Sequence, residues 1–406
     1  MKDCLICKTP IEPFMSFGKM PLGNGFLLPS EFEQEYFYEM LVGFCPVCNM
    51  VQLLEQPDRE RMFHENYAFF SGTSSFMAKH FALFAQDVIQ DYLTGSTDPF
   101  VVEMGSNDGI MLQNFAQAGI RHLGVEPSRN VAEVAIARGI RTVTEFFSAE
   151  LASKIVAENG QADAFLAANV MCHIPYLHSI AEGIKVLLKP NGVLMFEDPY
   201  LGDVVEKTSY DQIYDEHTFL FSVTSIGYLF AQYGMEIVDV VPQHTHGGSM
   251  RYIISHKGAR PVSERVHAQR QKEIAMGLNR PETFDQFRQS CETSRGQLKQ
   301  LLEGLKAEGK RVVGYGATSK STTVINYCGI TPDLVEFISD TTPIKQGKYS
   351  PGAHIPVMGY EKFTENYPEY ALLFAWNHKD EIMAKESAFI QSGGRWIVYV
   401  PAVGIV

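Results

Sequence analysis

The stretch Val101-Val102-Glu103-Met104-Gly105-Ser106-Asn107-Asp108-Gly109-Ile110 decides the fold. Val101 to Met104 read as a largely apolar strand and Gly105 and Gly109 as a turn that lets backbone approach a ligand. The residues beyond open a helix whose first N–H groups have no intrahelical partner. About twenty residues later a second apolar strand, His122 to Val125, ends in Glu126-Pro127-Ser128, where nucleotide-binding sheets place the carboxylate that accepts ribose hydroxyls. The two strands together predict a parallel α/β sheet with its ligand at the carboxyl edge.

The loop's acids bear on which ligand. A dinucleotide fingerprint reads G-x-G-x-x-G, whereas here Asp108 stands third after Gly105 and Glu103 stands two before it. Carboxylates so placed repel a pyrophosphate. The pattern acidic-x-Gly-x-Asn-Asp-Gly resembles motif I of the S-adenosylmethionine-dependent methyltransferases, whose cofactor carries a sulfonium and an amino group and no phosphate. The resemblance implies that Glu103, Gly105, Asn107, Asp108, Gly109, Glu126 and Pro127 hold S-adenosylmethionine. The plainer alternative is a glycine turn in an ordinary α/β sheet.

The chain has 406 residues, 45% hydrophobic and 20% charged, an ordinary globular composition with length for two or three domains. A net charge of −13 argues against a nucleic-acid partner, which needs a basic surface. No apolar run approaches a membrane span, and Met1-Lys2-Asp3-Cys4 lacks the apolar core of a secretion signal, so the expected location is cytoplasmic.

Four of the seven cysteines form two C-x-x-C knuckles, Cys4-Leu5-Ile6-Cys7 and Cys45-Pro46-Val47-Cys48. Two such turns present four thiolates to one tetrahedral zinc and leave no position open for water, which makes the site structural. Disulfides are the alternative, disfavoured in a reducing compartment. Cys172, Cys291 and Cys328 have no partner by spacing and read as buried small apolar residues. Tyr38 to Phe44 and Met50 to Leu54 read as strands of a zinc-ribbon hairpin, with Pro21-Leu22-Gly23-Asn24-Gly25-Phe26 before them. An aromatic linker, Phe63 to Ser74, follows, either lining a site or stapling domains together.

A helix from Ser75 to about Leu93 begins the central unit. Helices at 128–138 and 148–158 alternate with strands at 141–143, 162–169 and 192–198. Asn169 falls near the sheet's switch point, and Asn169-Val170-Met171-Cys172-His173 brings an amide and an imidazole beside the expected methyl donor. After the last of these strands comes Tyr210-Asp211-Gln212-Ile213-Tyr214-Asp215-Glu216-His217-Thr218-Phe219-Leu220-Phe221-Ser222. Its density of acids, tyrosines and a histidine between aromatics suits catalysis better than a solvated face. Tyr214 and His217 share a face if the segment is helical. His217 is the expected general base, with Glu216 or Asp215 to orient it.

The two knuckles, the motif from Glu103 to Gly109, Asn169-x-x-x-His173-Ile174-Pro175 and Tyr214-Asp215-Glu216-His217 occur in one order. With Thr245-His246-Gly247-Gly248-Ser249-Met250-Arg251 and Gly314-Tyr315-Gly316-Ala317-Thr318-Ser319-Lys320 they resemble the deoxysugar C-3 methyltransferases, which act on nucleotide-linked 4-keto sugars. The resemblance spans essentially the whole chain. It implies His217 as base, with Tyr214, Glu216, His173 and the linker's Tyr67 around the sugar. It adds Asn169 on the cofactor side and His246 and Arg251 on the substrate side. The acceptor would be a ketosugar carried on dTDP or GDP, and the protein a monomer or small homo-oligomer.

Beyond Lys257 a helix over 280–308 leads into a strand and the second glycine loop. Small residues, two hydroxyls and a cation make Gly316, Thr318, Ser319 and Lys320 a phosphate cradle by composition, joined by Lys345. Asp340, ending the strand Leu334 to Ser339, keeps a dinucleotide reading open. The expected architecture is α/β in three parts: a zinc-ribbon-like module (1–72), a Rossmann-like methyltransferase domain (73–256) and a second Rossmann-like domain for the nucleotide sugar (257–406). An O- or N-methyltransferase and a non-catalytic scaffold are the competing functions.

Overall fold

The computed structural model describes residues 2–58 and 75–406. A seven-stranded sheet holds the decisive stretch, built from Phe100–Met104, Arg121–Val125, Thr142–Val143, Ala162–Ala168, Leu188–Pro199, Met235–Gln243 and Ser249–His256. Counted along the chain, these strands lie in the order 3-2-1-4-5-7-6. The first five run parallel, and Ser249–His256 inserts antiparallel between Leu188–Pro199 and Met235–Gln243. Both faces of the parallel strands are apolar and buried, as in Val101, Val102, Phe165 and Leu166. Such strands need helices on both sides. Met104 pairs with Ala167, so Gly105 and Asn169 follow neighbouring strand ends at the point where the order reverses. The expected helix from Ser75 is α-helical over Ser75–Val88 and closes in a π-helical turn, Ile89–Leu93.

The N-terminal residues form a small pair, Lys2–Asp3 with Pro10–Ile11, and an antiparallel sheet of Pro13–Pro21, Phe37–Phe44 and Val51–Leu53. That sheet recruits a fourth strand, Phe219–Leu220, directly after the Tyr214 to His217 segment. One core joins Cys4, Ile6 and Cys45 to Ile180, Ile184 and Phe219. A second joins Met15, Phe17 and Met40 to Tyr210, Ile213, Val324 and Leu372. The zinc module therefore packs against both other units.

The C-terminal sheet has the order Val357–Met358, Ile338–Ser339, Val312–Tyr315, Tyr370–Leu373, Arg395–Val398, Gly404–Ile405, parallel except for the last strand. The expected strand from Leu334 is confined to Ile338–Ser339, because the amides of Leu334 and Val335 both turn back to Thr331 O (2.9 and 3.0 Å). The long helix is Pro281–Ala307. The helix Glu264–Ala275 before it rests on the central unit, with Val266 in that core. No helix among the described residues is long and apolar enough to cross a membrane.

Candidate active site

Three residues in the loop after Phe100–Met104 take positive φ: Gly105 (+67°), Asn107 (+49°) and Gly109 (+79°). At Gly105 this is compounded by contact, since a Cβ there would lie 2.3 Å from Cγ2 of Val170. Glu126 closes the loop from the next strand, its carboxylate accepting the amides of Asn107 (2.9 Å) and Ser128 (2.8 Å). Pro127 leads into the helix Arg129–Ala137. Arg138 of the following segment approaches Asp108 at 3.3 Å. Glu103 is buried, and its Oε2 has no hydrogen-bond partner among the described residues. Burial, then the nearby Glu126 and Asp108, push its carboxyl well above the usual range. A cationic ligand beside it would favour the ionised carboxylate.

The Tyr210 to His217 segment is a 3₁₀ turn, Tyr210–Gln212, followed by a tight turn in which the His217 amide donates to Tyr214 O (2.9 Å). The expected shared face arises from that turn rather than from a helix, with ring centroids 4.2 Å apart. His217 Nδ1 lies 2.6 Å from the carbonyl oxygen of Gln212. A carbonyl only accepts, so Nδ1 carries the proton and Nε2 the lone pair. The Gln212 carbonyl therefore orients the imidazole. The rings of His173 and His217 stack with centroids 5.3 Å apart. Burial lowers His173 to about 4. Burial, then His173, holds His217 well below its ordinary value despite the opposing Gln212 bond. Both imidazoles are neutral at neutral pH.

Two of the segment's three acids, Asp215 and Glu216, face the N-terminal module. Gly23 N donates to Asp215 Oδ1 (2.8 Å) and Asn24 Nδ2 to Glu216 Oε1 (2.6 Å). From the C-terminal unit, Trp376 Nε1 (2.6 Å) and Tyr399 OH (2.9 Å) donate to Asp211 Oδ2. Thr322 and Thr323, on the helix after the second glycine loop, donate to Gly23 O and Ile213 O, each at 2.8 Å. The segment is thus held where the three units meet.

Asn169, with φ of +54°, donates through Nδ2 to His246 Nε2 (2.6 Å). The carbonyl of His246 accepts from the side-chain Nε2 of Gln212 and from Lys320 Nζ at 3.4 Å. A continuous chain of contacts therefore joins the donor-side Asn169 to the base. Lys320 is buried, which lowers it to about 8, with Asp211 opposing. Arg251 is engaged elsewhere: it pairs with Glu197 (2.6 Å) and Asp87 (2.9 Å) and lies over the Phe84 ring. In the second glycine loop Gly316 has φ of +88° and Thr318 caps its helix through Ser321 N (3.1 Å). Asp340 already accepts the Ala317 amide (2.6 Å), so a carboxylate occupies one donor that a phosphate cradle would use. Lys345 Nζ donates to Ala317 O (2.8 Å), and Ser319 packs at Gly23. Tyr67 lies outside the described residues. Gln212 and Asn24 were quoted in the sequence but given no role: one acts through a backbone carbonyl, and the other from about 190 positions away, contacts with no local signature.

The four knuckle cysteines converge. Cys4 and Cys48 Sγ lie 3.5 Å apart, Cys7 and Cys45 Sγ 3.3 Å, and all four sulfurs fall within 4.8 Å of one another. Zinc–sulfur bonds of about 2.3 Å give tetrahedral edges of about 3.8 Å, so the set fits zinc. His178 fastens the knuckle to the central unit: its Nε2 donates to Ile6 O (2.7 Å) while Nδ1 accepts from Tyr233 OH (2.6 Å).

The donor loop, the sheet order and the buried acids define an S-adenosylmethionine-dependent methyltransferase with a structural zinc site. Residues 4–63 match a model of a zinc binding domain, 76–240 a methyltransferase domain and 244–401 a C-methyltransferase C-terminal domain. The chain is 34% identical over 409 residues to C-methyltransferase NovU of Streptomyces niveus, covering 100% of this chain and 96% of that protein. Among solved structures, a SAM-dependent methyltransferase from Anabaena variabilis matches at 17% identity and TM-score 0.34, over 43% of this chain and 84% of its own. Magnesium protoporphyrin IX methyltransferase of Synechocystis with bound SAH matches at 15% and TM-score 0.35, over 45% and 85%. The chain belongs to the C-methyltransferase family, and the methyl group it transfers goes to carbon.

Proposed function

We propose that the carbon methylated is C-3 of a nucleotide-linked 4-keto-6-deoxysugar. The observation that carries this reading is the neutral His217, whose Nδ1 is tied to the Gln212 carbonyl so that Nε2 is left to take a proton. A hydrogen on the carbon beside a ketone is acidic because the charge it leaves delocalises onto oxygen, so an imidazole suffices as base, and such a group contributes about 10² to 10⁴ in rate.

When bound, S-adenosylmethionine supplies an electrophilic methyl group. Glu103, Gly105, Asn107, Asp108 and Glu126 hold and orient it, because methyl transfer needs alignment more than acid or base help. Tyr214 and Tyr67 offer hydroxyls to the enolate oxygen, and His173 packs against the base. Lys320 and Lys345 bring positive charge to the side on which the carrier diphosphate, dTDP or GDP, enters. Arg251 pairs with Glu197 and Asp87.

The test is mass spectrometry of a panel of nucleotide 4-keto-6-deoxysugars incubated with enzyme and S-adenosylmethionine in heavy water. The expected product is heavier by one methyl, with deuterium beside the ketone in recovered substrate. Methyl transfer to a ketosugar deuterated at C-3 that leaves this deuterium in the product would sink the enolate route. No methyl gain on any ketosugar, with S-adenosylmethionine bound, would sink the acceptor assignment.

A further inference from the structure

The zinc module does more than stiffen the N-terminus. Its strand Pro13–Pro21 leads into the turn Leu22 to Gly25, which is closed by Gly25 N to Leu22 O (3.1 Å) and projects to the junction of the three units. Two consecutive residues of that turn address two consecutive acids: Gly23 by its backbone, Asn24 by its side chain. Gly23 has no room for a side chain, since a Cβ would lie 2.7 Å from Asp215 Oδ1 and 3.3 Å from Ser319 Cβ. Beyond the acids, Leu53 N holds Thr218 O (2.8 Å) and Val51–Leu53 pairs with Phe219–Leu220. The module therefore grips the segment on both sides of His217. Gly23 and the strand pairing already fix the backbone, so the Asn24 amide is left with another task, which is to set the Glu216 side chain.

We propose that Asn24 is a positioning residue for catalysis: its amide donates to Glu216 Oε1 and fixes the direction in which that carboxylate meets the acceptor. Asn24 acts through Glu216 and takes no proton itself. The inference rests on the reading of Tyr214 to His217 as the proton-transfer segment. A carboxylate that accepts a charge-assisted bond on one oxygen has fewer directions open to the other.

The experiment uses the zinc-loaded full chain with Asn24→Ala and Asn24→Asp, each alone and in a Glu216→Ala background. Readouts are zinc content, melting temperature, S-adenosylmethionine affinity, turnover of a ketosugar and deuterium exchange beside its ketone. Losing a hydrogen bond to a charged group predicts that Asn24→Ala lowers kcat and exchange by about 10- to 100-fold, with zinc content and donor affinity unchanged. In the Glu216→Ala background it should cost nothing further. Asn24→Asp is nearly isosteric but sets a carboxylate against a carboxylate. Its activity relative to wild type should be lowest at neutral pH and recover as the pH falls and the new carboxyl gains a proton to donate.

Wild-type rates in Asn24→Ala, an equal loss with or without Glu216, or a flat pH ratio in Asn24→Asp would each overturn the proposal. If Asn24→Ala fails to fold, the Asn24→Asp profile decides the matter. A wild-type chain that exchanges no proton on any ketosugar would instead overturn the functional reading, and the inference with it.

Discussion

His217 Nδ1 and the backbone carbonyl of Gln212 lie 2.6 Å apart, and this contact places the imidazole lone pair on Nε2. A backbone acceptor carries no titratable group, so the tautomer holds at every pH at which the loop is folded. His217→Asn should lower deuterium exchange and methyl transfer by about 10² to 10⁴ while leaving S-adenosylmethionine affinity within about twofold, because base and donor loop are separate. Calorimetry and exchange on the same preparation check it, and an equal loss of donor binding would remove His217 from the role. The pH dependence has a definite sign. A base works when neutral, and burial holds His217 well below 6.5, so acidification through 6.5 should leave kcat level. An acid limb centred near 6.5 would mean an exposed histidine.

Gly105 tests the donor side. Its φ of +67° is one that side chains rarely adopt, and an added methyl would meet Val170 at 2.3 Å. Val170 leads the Cys172–His173 turn, so the strain passes between the two halves of the site. Gly105→Ala should weaken S-adenosylmethionine binding by at least about tenfold, the equivalent of about 1.4 kcal/mol, a modest share of a strained backbone plus a clash. Titration calorimetry on a variant of unchanged zinc content would read it, and wild-type affinity would contradict the loop assignment.

Glu273 carries the join between the helix Glu264–Ala275 and the central unit. Its carboxylate accepts from Val223 N (2.6 Å), Thr224 N (3.0 Å), Thr224 Oγ1 (2.6 Å) and Tyr200 OH (3.0 Å). It caps the helix Val223–Ala231 from a distance. Glu273→Ala would leave those buried donors unanswered at a cost of about 2 to 4 kcal/mol. Denaturant unfolding should show an earlier transition with donor affinity unchanged in the folded baseline. A shift below about 0.5 kcal/mol, the usual range for surface changes, would mean water substitutes for the carboxylate.

How much of this was legible depended on whether the signal was local. The donor loop was, because strand, glycines and acids lie within ten residues. The zinc knuckles were also legible, since ligand spacing is itself the signal. The grouping of Tyr214 with His217, expected on condition that the segment is helical, came through in a turn, because three residues separate the rings in either case. What failed to show were contacts made by backbone atoms or across distant segments: Gln212 under His217, Asp340 on the Ala317 amide, Asn24 on Glu216. Composition made the second glycine loop a phosphate cradle, while tertiary packing set its Thr322 against Gly23 and its Lys320 against His246. Arg251 was placed by motif on the substrate side, and pairing with Glu197 across adjacent strands turned it inward.

Lys320 gives the alkaline side of the same argument. Its ammonium lies 3.4 Å from His246 O, at the junction of donor side, base segment and C-terminal unit. Burial lowers it from 10.5 to about 8, with Asp211 opposing, so the cation is present below pH 8 and lost above it. If that charge steadies the enolate or the carrier diphosphate, kcat should fall as pH rises through about 8. The fall should not reflect unfolding. Between 8 and 10.5 the unfolded chain holds this proton and the folded one does not, so the contribution of Lys320 to stability rises with pH there. Lys320→Arg keeps a cation across the range and should move the limb beyond pH 9.5, at some loss of rate from its different shape. Lys320→Met should be slow throughout, with no limb at 8. Rate profiles of the three proteins on one ketosugar separate these outcomes, and an unchanged limb at 8 in Lys320→Met would assign the titration to another group.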